Sequence, residues 1–237
     1  MNEATENTPG ATEQTPVGDR LDAVEVRVLG ALIEKQVTTP EYYPLTLNAL
    51  VHACNQISNR DPVVAYDEPT VTAALESLRE KKLAREVRTA DGRVPKYRQV
   101  LTEVVPLRAA ELAVLCVLLL RGPQTTGELR GRTERLYSFS DITYVEGTLQ
   151  ALAERPEGAF VVRLPRQPGQ KEARWAHLLA GPVEVEEQPA RDARPEAATR
   201  RAGGDERVAR LESEVAALRQ ELTELRQQFA EFRQQFE

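Results

Sequence analysis

Residues 25–39, EVRVLGALIEKQVTT, and residues 111–126, ELAVLCVLLLRGPQTT, decide how this chain is read. In the first run Val28, Leu29, Leu32 and Ile33 share one face of a helix. In the second, Val114, Leu115, Leu118 and Leu119 fall at the same offsets from the opening glutamate. Each run leads to a threonine pair, Thr38-Thr39 and Thr125-Thr126, and then to a short second helix, about 45–56 and 126–136. The chain repeats itself.

The repeat continues outward. Asp67 and Pro69 mark the start of a third helix with Val71, Leu75 and Leu78 on one stripe. In the second copy Ser140 or Asp141 caps the matching helix, whose stripe is Ile142, Val145, Leu149 and Leu152. Both copies then change to a strand pattern. Residues 83–87 turn through Ala90-Asp91-Gly92 into 94–101, and residues 160–164 turn through 165–170 into 173–179. The return strands match in kind, Lys96-Tyr97 against Arg174-Trp175. Three helices and a hairpin form the winged-helix arrangement of the helix-turn-helix class, here in tandem. The expected class is mainly α with small β-hairpins (α+β), and the expected divisions are 21–104 and 105–181.

Flanking segments differ in composition. Residues 1–20 are rich in Thr, Glu and Pro without periodicity and read as a disordered tail; residues 182–206 carry prolines and a Gly-Gly and read as a linker. From 207 to 237 apolar residues alternate three and four apart, the heptad signature of a coiled coil. Val208, Val215, Leu222 and Phe229 fall at a positions, Leu211, Leu218, Leu225 and Phe232 at d. A parallel, in-register homodimer sets Arg207 against Glu212, Glu214 against Arg219 and Glu221 against Arg226. Opposite charges at three g–e positions, with no repulsion, select that orientation.

The net charge of −6 is unevenly spread. Residues 1–20 hold four acids and one Arg, and residues 182–237 hold thirteen acids and nine Arg. The middle is left at +1, so the acidity belongs to the tails and argues neither for nor against nucleic-acid binding by the core. No stretch of 18 apolar residues occurs and the N-terminus has no secretory pattern, so a cytoplasmic protein without a membrane span is expected. Cys54 and Cys116 sit among apolar residues and read as buried hydrophobes. Two distant histidines, no Cys/His spacing, no phosphate loop and no nucleophile elbow point away from catalysis, and no metal or cofactor is expected. Glu34-Lys35 reads as a solvated helix end, and Tyr42-Tyr43 and Trp175 as packing.

Strings such as Arg27-Val-Leu-Gly-Ala-Leu-Ile-Glu-Lys35, Thr38-Thr-Pro-Glu-Tyr-Tyr-Pro-Leu-Thr-Leu-Asn48 and Leu164-Pro-Arg-Gln-Pro-Gly-Gln-Lys-Glu172 resemble the YceH-like proteins, a bacterial family of uncharacterised function. The resemblance covers about 21–181 and implies a tandem winged-helix fold with no established activity. Ile57, Gln99 and Thr126 depart from that family's pattern, and Ile57 removes a lysine that could meet a phosphate.

Candidate contact residues follow from the fold class. The exposed faces of both third helices carry carboxylates, which oppose phosphate binding. The hairpins are better candidates: Arg85, Arg88, Arg93, Lys96 and Arg98 on the first; Arg163, Arg166, Lys171 and Arg174 on the second; Arg130, Arg132 and Arg135 along the second copy's second helix. In the polar loop 55–62, Asn55, Gln56, Asn59 and Arg60 either bond one another and cap helix ends or meet a DNA backbone, base edge or small ligand. The expected function is a DNA-associated regulatory or accessory protein, dimeric through its C-terminus. The alternative is a protein–protein adaptor using the same scaffold, because fold does not fix function.

Overall fold

The buried glutamates at the starts of the two matching helices organise both halves of the molecule. A computed structural model of the chain describes residues 15–88, 94–167 and 169–183. In helix α1 (Ala23–Thr38) the Asp22 carboxylate caps the first turn, and Glu25 reaches back to accept from the Asp22 N–H at 2.7 Å. Helix α5 (Ala109–Arg121) shares the glutamate bond, the Arg108 N–H donating to Glu111 at 2.8 Å, but the Arg108 side chain has no acceptor with which to cap the first turn. Both carboxylates are buried, 1% and 4% exposed. Each takes a cation from just beyond the third helix of its own half: Lys81 after α3 (Glu68–Glu80), with Nζ 2.6 Å from Glu25, and Arg155 after α7 (Ile142–Ala153), with Nη1 3.4 Å from Glu111. Burial works against the Glu25 carboxylate, but hydrogen bonds from Lys81, Ser77 and the Asp22 backbone together hold it below the usual range. Glu111 is treated alike, burial being outweighed by Arg108 and Arg155.

The short second helices are α2 (Leu47–Cys54) and α6 (Thr126–Arg132). Their equivalent caps are Thr46, whose hydroxyl accepts from the Ala49 N–H, and Thr125, which accepts from the Glu128 N–H. The threonine pairs Thr38-Thr39 and Thr125-Thr126 are therefore not equivalent in the fold. Thr38 and Thr39 close α1, with hydroxyls donating back to Glu34 and Lys35 carbonyls, and a 3₁₀ turn at Pro40–Tyr42 separates them from the true cap. Asp67 and Asp141 cap the third helices, which settles the choice between Ser140 and Asp141.

The hairpins re-enter by the same bond in each half. Leu83 N–H donates to Leu78 O and Phe160 N–H to Leu152 O, which places each strand directly on its third helix. Strands β2 (Ala84–Val87) and β3 (Lys96–Gln99) pair antiparallel, joined by a strand absent from the sequence reading, β1 (Leu45–Thr46), in the order β1-β3-β2. Strands β4 (Val161–Arg163) and β5 (Trp175–His177) form the second sheet, where a single bridge between Gln124 and Trp175 stands in for β1. Register makes Tyr97 the counterpart of Trp175 and Gln99 that of His177. The fold is thus mixed helix and sheet, with seven helices and two small antiparallel sheets among the described residues, including the short α4 (Leu101–Val104).

The first helices of the two copies pack on each other. A Cβ added at Gly30 of α1 would lie 2.9 Å from Leu120 Cδ2 and 3.1 Å from Leu119 Cβ, so α5 approaches the α1 backbone as only glycine permits. The Cys116 thiol donates to the Gly30 carbonyl at 3.5 Å, and burial pushes the Cys54 thiol up to about 12, so both cysteines behave as the buried hydrophobes expected. The seam lies within one continuous core and all described residues belong to one compact unit. Residues 15–20, grouped by composition with the tail, form a turn closed by Thr15 and Gly18, and the Leu21 N–H donates to Leu179 O. The candidate coiled coil, 207–237, lies outside the described residues.

Candidate nucleic-acid interface

The polar loop after α2 is held from inside by two buried arginines. Arg60, whose side chain is 0% exposed, grips Glu34 with both fork nitrogens, at 3.0 and 2.6 Å. It also donates to the Ala53 carbonyl, to Gln56 Oε1 and to the Asn59 carbonyl. Arg27, 4% exposed, donates to the Pro62 carbonyl at 2.6 Å and to the Cys54 carbonyl at 3.4 Å. Burial, and then the neighbouring Arg60 guanidinium, lower the Arg27 pKa, and the carbonyl acceptors of Pro62 and Cys54 offset the cost of burying its charge. Asn55 clamps Tyr66 in both directions, donating to its carbonyl at 2.7 Å and accepting from its N–H at 2.8 Å. Of the two readings of this loop, Asn55, Gln56 and Arg60 take the internally bonded one. Glu34 is corrected with them: it is the anchor of a buried ion pair, not part of a solvated helix end. Asn59 stays exposed in a left-handed conformation (φ 59°) and accepts from Arg121 Nη1 at 3.0 Å.

The hairpin cations divide by half. On the first, Glu86 pairs with Arg79 at 3.6 Å and with Arg88 at 2.7 Å; Glu103 pairs with Arg85 at 3.1 Å and with Arg98. Two carboxylates thus absorb four guanidiniums. Lys96 has no ion pair among the described residues, and Arg93 lies outside them. On the second, exposed Arg163, Arg166 and Lys171 have no ion pair among the described residues. They line one groove of about 1040 Å³ together with Ile142, Glu146 and Gln150 of α7, so three cations face two carboxylates, Glu146 and Glu172. Arg174 donates to the Pro123 carbonyl at 3.3 Å, and Arg130 to the Ser140 carbonyl at 3.1 Å, neither losing its charge to an acid. Arg132 is paired with Glu128 at 3.2 Å. Arg135 falls beyond the end of α6 rather than along it.

An aromatic cluster stands at the start of α7. Tyr137, Phe139 and Tyr144 meet edge to face with centroids 4.9–6.1 Å apart, and Tyr137 and Tyr144 share a hydroxyl contact of 3.2 Å. Tyr144 and Ile142 are 43% and 41% exposed, so the face of α7 is partly apolar as well as polar. This cluster had no signal beyond Tyr and Phe spaced across a predicted loop and helix start. Trp175 packs in the core as expected, and of the Tyr42-Tyr43 pair only Tyr43 does, its hydroxyl accepting from the Gln99 N–H at 2.7 Å; Tyr42 is 72% exposed.

The sequence pattern of the family described as "Protein of unknown function, DUF480" matches residues 21–170, which takes in the first half and the second as far as the turn before β5. This chain belongs to the DUF480 family. Among its relatives, UPF0502 proteins of Solibacter usitatus, Opitutus terrae and Geobacter sulfurreducens are 56%, 58% and 56% identical to it. The alignments cover 82%, 75% and 82% of this chain and 91%, 76% and 88% of the relatives. The expected membership of an uncharacterised bacterial family holds; the YceH-like label does not come with these matches. Among the described residues no helix is long and apolar enough to cross a membrane.

Proposed function

We propose that this DUF480 protein is a non-enzymatic, cytoplasmic, DNA-associated regulatory or accessory protein built on two winged helices. In that reading α7 is the second module's groove-facing helix and β4–β5 its wing. One observation carries it: Arg163, Arg166 and Lys171 stand beside α7 without an ion pair among the described residues, three cations against Glu146 and Glu172, and a phosphate backbone can take up the excess. The first module's hairpin, with its arginines already paired, serves as scaffold rather than as a DNA contact. The heptads at 207–237 are proposed to join two chains, giving up to four winged helices per dimer.

Binding of duplex DNA by the full chain, measured by fluorescence anisotropy at two salt concentrations, tests the proposal. A salt-dependent affinity is expected. Absence of binding at low salt, with a protein partner recovered instead, overturns it in favour of the adaptor reading, which the exposed Ile57, at 84%, supports. For the dimer, sedimentation of the full chain against a chain ending at residue 183 is decisive. Equal, monomeric values at micromolar concentration rule the coiled coil out.

A further inference from the structure

A second cleft, of about 380 Å³, lies where the end of α1, the loop after α2, the end of α5 and the turn after α6 meet. Four cations line it, Lys35, Arg121, Arg132 and Arg135, against two acids, Glu34 and Glu134. Glu34 gives both oxygens to the buried Arg60; Glu134, exposed, accepts from the Ser138 hydroxyl at 2.8 Å and keeps its charge, so the cations remain in excess. Lys35 reaches Glu34 only at 3.9 Å, and Arg132 shares Glu128. Arg135 is exposed and has no ion pair among the described residues. Arg121 is the most telling. Its Nη1 holds Asn59, but its Nε is buried without a hydrogen-bond partner. A buried guanidinium donor left unmade is costly and unusual. Burial, and then the nearby Arg132 charge, also depress the Arg121 pKa, the signature of like charges gathered in a partly desolvated space.

We infer that this cleft between the two halves is a binding site for a small phosphorylated molecule, seated on the forks of Arg121 and Arg135 and the ammonium of Lys35. Guanidinium forks match phosphate oxygens two at a time, and the Lys35 ammonium adds a compact charge. The volume lies in the range of small-ligand pockets and excludes a duplex, whose phosphates would meet the wing groove instead. Val117, Leu120 and Leu136 supply an apolar floor. The site draws on both halves and is independent of whether the wing binds DNA.

Calorimetric titration of the full chain with inorganic pyrophosphate, at low ionic strength, tests this. One saturable site per chain is expected, weakened at least about tenfold in Arg135→Gln and in Lys35→Gln, each removing a charge-assisted bond. Arg135 is exposed, so its variant is expected to fold; an unchanged melting temperature without ligand checks that. Arg166→Gln/Lys171→Gln is expected to bind pyrophosphate as the parent does. Three results overturn the inference: no saturable heat up to millimolar pyrophosphate; equal affinity in Arg135→Gln; or a melting shift reproduced by sodium chloride of equal ionic strength. A fourth is displacement of pyrophosphate by a 20-base-pair duplex with Arg135→Gln weakening both, which would assign the cleft to nucleic acid.

Discussion

The two halves share a frame and differ in where charge ends up. In both, a buried glutamate at the start of the first helix accepts from the N-cap N–H and takes a cation from beyond the third helix, Glu25 with Lys81 and Glu111 with Arg155. The first half then spends its remaining charge internally: Arg60 on Glu34, and Arg79 of α3 with three hairpin arginines on Glu86 and Glu103. The second half leaves Arg163, Arg166 and Lys171 unpaired around a groove. Exposed ion pairs contribute little to stability, so the first hairpin's pairs matter less as glue than as neutralisation. A duplicated scaffold has thus been divided into a self-satisfied half and a half with charge to offer.

The most damaging way to break this contrast is Arg60→Ala. It leaves the half-buried Glu34 without its main partner, the Ala53 carbonyl without its donor and a cavity in place of the buried side chain, a loss at the lower end of about 3–5 kcal/mol. At roughly 2–4 °C per kcal/mol the melting temperature falls toward the lower end of about 6–20 °C, readable by calorimetry. Arg166 of the second half is exposed and has no ion pair among the described residues, so Arg166→Ala is expected to leave melting unchanged. Equal effects of the two would erase the distinction.

Next in size is Gly30→Val, which drives methyl groups into Leu119 and Leu120 at the seam and costs about 1–3 kcal/mol. Because both halves meet there, chemical denaturation should remain a single transition with a lower midpoint. A biphasic curve would mean that the halves unfold separately.

The functional contrast is sharpened by paired charge removals. Arg166→Gln/Lys171→Gln should reduce the slope of log affinity against log salt for DNA by about two. Arg85→Gln/Arg88→Gln should leave it unchanged, since both side chains already face carboxylates. The reverse pattern would move the interface to the first half.

The smallest effect concerns two residues at one register position. Gln99 is satisfied by Gln36 and Thr102, whereas His177 has a buried Nδ1 with no hydrogen-bond partner and burial pulls its pKa down to about 4. The imidazole is neutral in the fold and takes up a proton on unfolding. Its folded pKa lies below the unfolded value, so stability is full above about pH 6.5 and declines as pH falls toward 4. His177→Gln should flatten the decline in that window by about 1 kcal/mol, a figure reduced for the ring's partial exposure. Identical pH profiles of melting temperature would sink the assignment. Below pH 5 a second decline is expected from Glu25 and Glu111, whose lowered pKa values stabilise the fold only while both stay ionised.

Much of the frame was legible in residue order. Helix stripes, the Asp67 cap, the hairpins and the Tyr97–Trp175 match all rest on near-neighbour spacing, which a linear sequence records directly. The threonine match failed because Thr38-Thr39 and Thr125-Thr126 are alike in composition while their backbones differ; an inserted 3₁₀ turn moved the cap to Thr46. The candidate site was legible only as a list of cations. Which of them are free depends on partners distant in the chain: Glu34 lies 26 residues from Arg60 and Asn59 62 residues from Arg121.

By itself, then, the sequence determined the helical stripes, their repetition, the hairpins and the membership of an uncharacterised bacterial family, because each is written in local periodicity or in long matching strings. Only the tertiary structure decided that Arg60 is buried, that Glu34 is its anchor, that Gly30 lies at a helix–helix seam and that Lys35, Arg121 and Arg135 face one cleft. Ion pairing and burial are properties of groups brought together by folding. No spacing rule states which carboxylate a given guanidinium will find.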